Sequence, residues 1–148
     1  MDVQIKQISH SDLANFKILV KLFEDVFEME DFTIPDDNHL SSLISNPNFM
    51  AFVALYDHHV VGGLTAYILH QYYSKKPLAY IYDLAVSTQH QRKGIGRQLI
   101  SAFNLYCKDQ GFEESFVQAD KVDDYALDFY RKTKITAEEQ VVHFSYTL

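Results

Sequence analysis

Tyr80-Ile81-Tyr82-Asp83-Leu84-Ala85-Val86-Ser87-Thr88-Gln89-His90-Gln91-Arg92-Lys93-Gly94-Ile95-Gly96-Arg97 carries more structural information than any other run of this chain. It reads as an apolar strand, then a short basic loop with two glycines, then the start of an amphipathic helix. A strand that feeds such a turn into a helix N-terminus aims several backbone N–H groups at one spot, and the helix dipole adds partial positive charge there. That spot suits a phosphate or pyrophosphate. Gln91-x-x-Gly94-x-Gly96 is not the longer glycine pattern of a dinucleotide-binding fold. With no Gly-Lys-Ser/Thr after it, it is not a P-loop either.

The segments on either side supply the remaining elements. Val3 to Ile8 alternates apolar and polar residues as a half-buried strand does, and Ser9 with Asp12 three residues on reads as a helix cap. Leu13, Phe16, Val20, Phe23 and Phe27 then recur at spacings of three and four, one apolar face with an aromatic stripe bound for the core. An acidic loop containing Pro35 precedes a second helix from about Asp37 to Ile44, ended by Asn46-Pro47. Phe49 to Tyr56 and Val60 to Leu69 are apolar and β-prone, and Asp57-His58-His59 between them predicts an antiparallel hairpin. Gly62-Gly63 inside the second strand predicts a bulge or a close backbone approach.

A strand from Ala79 to Val86 leads into the quoted loop. The next helix turns Ile95, Leu99, Phe103 and Tyr106 inward and stops at Gly111. Phe112 to Ala119 reads as a strand, Asp123 to Lys132 as a helix, and Gln140 to Thr147 as a last alternating strand. The order β-α-α-β-β-β-α-β-α-β predicts a mixed α/β sheet with helices on both faces, in one domain over 1–148.

Composition narrows the function classes. At 148 residues and 47% apolar, with 11 Phe and 10 Tyr, the chain has material for a sizeable core. The net charge of −7 argues against nucleic acid or an anionic membrane as partner, since both need a basic face. It fits a cationic substrate, and equally fits mere solubility. No stretch approaches the ~20 apolar residues of a membrane span, no basic-then-apolar signal segment opens the chain, and Cys107 is the lone cysteine. The expectation is a cytoplasmic protein without disulfides, with Cys107 as a buried, inert thiol. The seven histidines, including His58-His59 in a turn, lack ligand spacing, so no metal is expected. Lys75-Lys76 reads as a solvated loop.

The glycine loop resembles the acyl-coenzyme A pyrophosphate loop of the GNAT N-acetyltransferases. Tyr80 to Ser87 with His90, Arg92 and Gly94-Ile95 is similar, more narrowly, to the aminoglycoside 3-N-acetyltransferases of type I. So are Val117-Gln118-Ala119-Asp120 with Asp123, Asp124, Ala126 and Tyr130, and the closing Val142-His143-Phe144, all in the right order. The chain departs from the pattern after Tyr130, where Arg131-Lys132-Thr133-Lys134 lacks the expected glycine.

The resemblance implies a central, mostly antiparallel twisted sheet with a splayed strand pair. It implies acetyl-CoA as co-substrate, a polycationic aminoglycoside as acceptor, direct attack in a ternary complex, and a homodimer. Backbone groups of Gln91 to Gly96, including Ile95, would hold the pyrophosphate, with Arg92, Lys93 and Arg97 adding charge-assisted contacts. Leu84, Ala85 and Val86 would offer backbone groups to the pantetheine arm, and the N–H of Leu84 or Ala85 would stabilise the oxyanion.

Asp83 interrupts an apolar strand, and burying a charge without a partner is costly. The functional reading is that it binds the cationic substrate and helps take its proton; the alternative is a residue that points to solvent or caps a turn. Asp120, Asp123 and Asp124 can join it in an acidic wall for several ammonium groups, although Asp123 equally suits a helix cap. Tyr130 corresponds to the tyrosine that protonates the departing thiolate, with a core aromatic as its alternative. Two other functions stay open: acetyl transfer to another small polyamine or a protein amine, and a catalytically silent acyl-CoA-binding module.

Overall fold

The computed structural model describes residues 2–148 as two compact units, one reaching to Gln118 and the other spanning Ala119–Leu148. The first holds β1 (Gln4–Gln7), α1 (Leu13–Val26), α2 (Asp37–Ile44), β2 (Phe49–Tyr56), β3 (His59–Leu69), β4 (Leu78–Val86), a 3-10 turn at Thr88–His90, α3 (Ile95–Asp109) and β5 (Glu114–Val117). The second holds α4 (Asp124–Arg131). The strands lie in the order β1-β2-β3-β4-β5, antiparallel throughout except for the parallel pair β4–β5. This is the mixed, mostly antiparallel sheet that the sequence predicts.

The β2–β3 hairpin closes on Asp57 and His58, whose φ angles of 49° and 64° match the twist of the flanking strands. Alternation then assigns the two faces of β2. Phe49, Ala51 and Val53 pack with Phe16, Leu19, Leu22 and Phe23 of α1 and with Leu40 and Ile44 of α2. Phe52 turns the other way and meets Phe103 and Tyr106 of α3 edge-on, at ring-centre distances of 5.3 and 5.5 Å. Helices therefore cover both faces.

Gly63 is where α1 seats most closely: a Cβ there would lie 2.5 Å from Leu19 Cδ1 and 2.6 Å from the Phe52 carbonyl oxygen. Beside Gly62 the β2–β3 register slips by one residue between Ala54 and Leu55, with Val61 as the extra residue, so of the two alternatives for Gly62-Gly63 the close backbone approach is the one the glycines themselves make. At the far end of α3, Gly111 (φ 83°) forms a Schellman stop, with Phe112 N–H donating to the Cys107 carbonyl and Gly111 N–H to that of Lys108.

Five expectations need correction. Ser9 does not cap α1: its hydroxyl pairs with Ser11 while Asp12 takes the N-cap position, its carboxylate accepting from the Asn15 side chain rather than from the backbone. Phe27 leaves the core because α1 ends at Val26; it lies 43% exposed, stacked on Phe23. Tyr106 is half-buried instead of core. The strand expected over Phe112 to Ala119 shrinks to Glu114–Val117, the residues that find partners in β4. Gln140 to Thr147 forms no strand despite its alternation, and Val141, Val142, Phe144 and Tyr146 are exposed. Alternation prepares two faces, but a strand exists only where a ladder partner takes its backbone groups.

Candidate active site

β4 is the element around which the site is built. Its parallel pairing with β5 covers Leu78 to Ile81 and stops there, whereas its antiparallel pairing with β3 continues to Val86 opposite Gly62. From Tyr82 onward β4 has a ladder on one side only. This is the splayed pair, and the strand backbone on its open side is an edge to which an extended chain can add hydrogen bonds. Leu84, Ala85 and Val86 all lie on this stretch.

Asp83 sits at the start of it, and a bulge determines how it faces. The β3–β4 register slips between Thr65 and Ala66, which pair with Asp83 and Ile81, leaving Tyr82 as the extra residue. Asp83 thereby stands opposite Thr65, the one buried polar side chain among the described residues. Asp83 is half-buried, and no cation among the described residues pairs with it. Burial pushes its pKa above the ordinary carboxylate value of 3.8. The charge also reaches Tyr67, whose phenol is raised by burial first, then by Tyr82 and Asp83. An uncompensated half-buried carboxylate is suited to an incoming cation and, with its raised pKa, to accepting a proton.

Three residues beyond Asp83, about 10 Å along the strand, β4 ends and the loop begins. Ser87 fastens it, its N–H donating to the Val61 carbonyl and its hydroxyl 2.7 Å from His90 Nδ1. The Gln91 side chain folds back to donate to the Val86 carbonyl at 3.0 Å, which leaves its backbone for a ligand. Arg92 and Gly94 both adopt left-handed backbone, with φ of 61° and 82°. Left-handed positions of this kind are the local geometry of anion-binding concavities. Gly94 is the N-cap of α3, no side chain caps that terminus, and a Cβ on Gly94 would meet nothing within 4 Å. The first turn carries no acidic residue; Ile95 and Gly96 are buried, while Arg92, Lys93 and Arg97 are exposed around it. These residues fit a pyrophosphate.

The second unit gathers the other candidates. Asp123 is the N-cap of α4, its carboxylate accepting from the Ala126 N–H at 3.1 Å, as its capping reading expects. Asp124 opens the helix, and Asp120 precedes it with its carboxylate 3.4 Å from the Val122 N–H. All three are exposed. Tyr130 lies in the last turn, half-buried, its ring edge-on to Phe129 at 4.9 Å. Where the glycine is missing, the Thr133 N–H and hydroxyl both donate to the Tyr130 carbonyl, and Arg131 pairs with Glu138 through two hydrogen bonds of 2.9 and 3.0 Å. Side-chain bonds do there what a glycine turn does elsewhere.

Cys107 is buried in the core and its thiol is pushed up to about 11 by burial, in keeping with an inert role. Among the described residues no cluster of three or more His, Cys, Asp or Glu side chains is arranged to hold a metal, and no helix is long and apolar enough to cross a membrane.

Comparison with known proteins agrees with this geometry. The model of the acetyltransferase (GNAT) family matches residues 14–134. No match is found among curated protein sequences. Among solved structures, the aminoglycoside acetyltransferase meta-AAC0020 from an uncultured soil metagenomic sample, in complex with sisomicin, is 62% identical, with a TM-score of 0.97 over 99% of this chain and 96% of that one. The aminoglycoside acetyltransferase HMB0005, also from uncultured soil, is 31% identical, with a TM-score of 0.92 over 100% and 99% of the two chains. The aminoglycoside N-acetyltransferase AAC(6')-Iy in complex with CoA, at 18% identity, shares the fold with a TM-score of 0.78 over 99% and 96%. With its family match, its sheet and its glycine turn in agreement, this chain belongs to the acetyltransferase (GNAT) family.

Proposed function

We propose that the chain transfers the acetyl group of acetyl-CoA to the 3-amino group of a gentamicin-like aminoglycoside, by direct attack in a ternary complex, and so confers resistance to such drugs. The observation that carries this reading is the 62% identity, over nearly the whole chain, to an aminoglycoside acetyltransferase captured with sisomicin. The uncompensated carboxylate of Asp83 agrees with it, since a polyamine sugar is a polycation.

When bound, acetyl-CoA supplies the acetyl group as a thioester. Backbone N–H groups of Gln91 to Gly96 hold its pyrophosphate with help from Arg92, Lys93 and Arg97. The open edge of Leu84 to Val86 would align the pantetheine arm, and the N–H of Leu84 or Ala85 would donate a hydrogen bond to the carbonyl oxygen as negative charge develops there. Asp83 binds the acceptor's ammonium and takes its proton. If that ammonium has a pKa one to two units above the ambient pH, its deprotonation costs roughly 1.4 to 2.7 kcal/mol. The phenol of Tyr130 suits the complementary task of donating a proton to the departing thiolate, and Asp120 and Asp124 suit further ammonium groups. We take the active form to be a homodimer, which sedimentation checks.

Calorimetric titration of acetyl-CoA into the folded protein tests the first half of the reading, and absence of heat overturns all of it. A thiol-release assay over sisomicin, gentamicin, a linear polyamine and a lysine peptide tests the second. Turnover of the aminoglycosides alone is the expected result, with mass spectrometry and NMR of the product locating the acetyl group at position 3. Preferential turnover of the polyamine or peptide overturns the acceptor assignment.

A further inference from the structure

Resting on the reading of this chain as an acetyltransferase of cationic sugars, we propose that Tyr82 and Tyr67 form a ring-docking subsite beside Asp83 that seats an amino-sugar ring of the acceptor.

The bulge creates it. On a regular strand Tyr82 and Asp83 would point to opposite faces of the sheet. Because Tyr82 is the extra residue of the bulge, both stand against Thr65, on the face that also carries Tyr67. The Tyr82 ring lies 5.6 Å from Tyr67 at 85° and 5.9 Å from Tyr80 at 74°. Register places Phe49, Tyr67, Tyr80 and Phe116 side by side across β2, β3, β4 and β5. The outer members brace the row: Phe49 meets Tyr67 edge-on at 5.3 Å, and Tyr80 stacks on Phe116 at 4.8 Å.

The two rings nearest Asp83 in the register are open. Tyr82 is 55% and Tyr67 36% exposed, although each ring is held by aromatic neighbours. The Tyr80 hydroxyl is engaged, donating to the Gln118 side chain at 3.2 Å. Those of Tyr67 and Tyr82 make no hydrogen bond with the described residues. Two braced phenols beside a half-buried carboxylate complement a flat, hydroxylated ring bearing an ammonium group. The aromatic faces attract the cation and the ring's C–H edge, the hydroxyls exchange hydrogen bonds, and Asp83 takes the charge. Charge also favours this occupant over a second copy of the chain, which at a net −7 would bring like charge to Asp83.

The test is sisomicin acetylation, followed by thiol release, in the wild type and in Tyr82→Ala, Tyr67→Ala and Tyr82→Phe. Acetyl-CoA affinity and the thermal midpoint of each protein serve as controls. Loss of a cation–aromatic contact predicts a KM for sisomicin raised by ~3- to 30-fold in both alanine variants. The kcat and the acetyl-CoA affinity stay at wild-type values, and Tyr82→Phe, which keeps the ring, loses much less. Folded alanine variants with an unchanged KM overturn the subsite. So does a change in sedimentation without a change in KM, which assigns the patch to a second copy. An inert wild type defeats both the function and the subsite, whereas an active wild type with KM-neutral variants defeats the subsite alone.

Discussion

The two halves of β4 differ in a way that separates structure from chemistry. Leu78 to Ile81 is laddered on both sides, and Ala79 and Ile81 are 0% and 2% exposed. Tyr82 to Val86 is laddered on one side, begins with a bulge, and carries a carboxylate that no cation among the described residues pairs with. The first half satisfies its backbone on both sides and buries Ala79 and Ile81, with Leu78 and Tyr80 half-buried, so it offers a ligand no free backbone edge. The second half leaves an open edge and a partly desolvated charge, both unfavourable in the absence of something that completes them. A strand can therefore be core at one end and site at the other, with the change falling at a single residue.

The sharpest way to break that comparison is Asp83→Asn. If Asp83 takes the acceptor's proton, kcat/KM falls by roughly 10²- to 10⁴-fold, while calorimetry finds acetyl-CoA binding unchanged. Wild-type turnover of gentamicin by the variant removes Asp83 from the chemistry and leaves the two halves alike. The converse probe is Ile81→Ala, two residues away on the fully laddered half. Emptying that buried site lowers stability by about 2–5 kcal/mol, read by urea unfolding, while turnover per folded molecule stays the same. A selective loss of turnover there would extend the site into the closed half.

How much of this was legible in the sequence depends on the range of the interactions involved. The bounds of α2 and β2, the stop at Gly111 and the close backbone approach at Gly62-Gly63 follow from local rules of spacing and backbone freedom, and all are realised. The phosphate-suited turn was equally legible, because Gly94 and the basic residues around it lie within a few positions of one another. The misses in the strands share one cause, dependence on a partner distant in sequence, whereas those at Ser9 and Phe27 are local, set by where α1 begins and ends. Gln140 to Thr147 alternates like a strand, but alternation does not supply a neighbour. Phe27 continues the periodicity of α1 one residue past the point where the helix ends. The bulge at Tyr82 is a one-residue offset against β3, invisible in Tyr-Ile-Tyr-Asp read alone, so the sequence leaves the face of Asp83 open. The oddity of an aspartate in an apolar strand was the signal that did survive.

The smallest expected effect is also the most direct measure of what the open half of β4 costs the fold. Burial holds Asp83's carboxyl above its ordinary value of 3.8, so between that value and its folded pKa the native protein binds more protons than the unfolded chain does. Stability contributed by the protonated group is fully present below 3.8 and is lost as pH rises through the folded pKa. Asn carries no charge to desolvate. The thermal midpoint of Asp83→Asn should accordingly gain on the wild type as pH rises through this window and hold that small gain at neutral pH. Solvent still reaches part of the carboxylate, which keeps the gain modest. Differential scanning of both proteins from acid to neutral pH reads it. Parallel midpoints would mean that the ionised carboxylate is already compensated within the fold. A gain in stability alongside the loss of turnover would mark Asp83 as a residue retained for its chemistry at the expense of the fold.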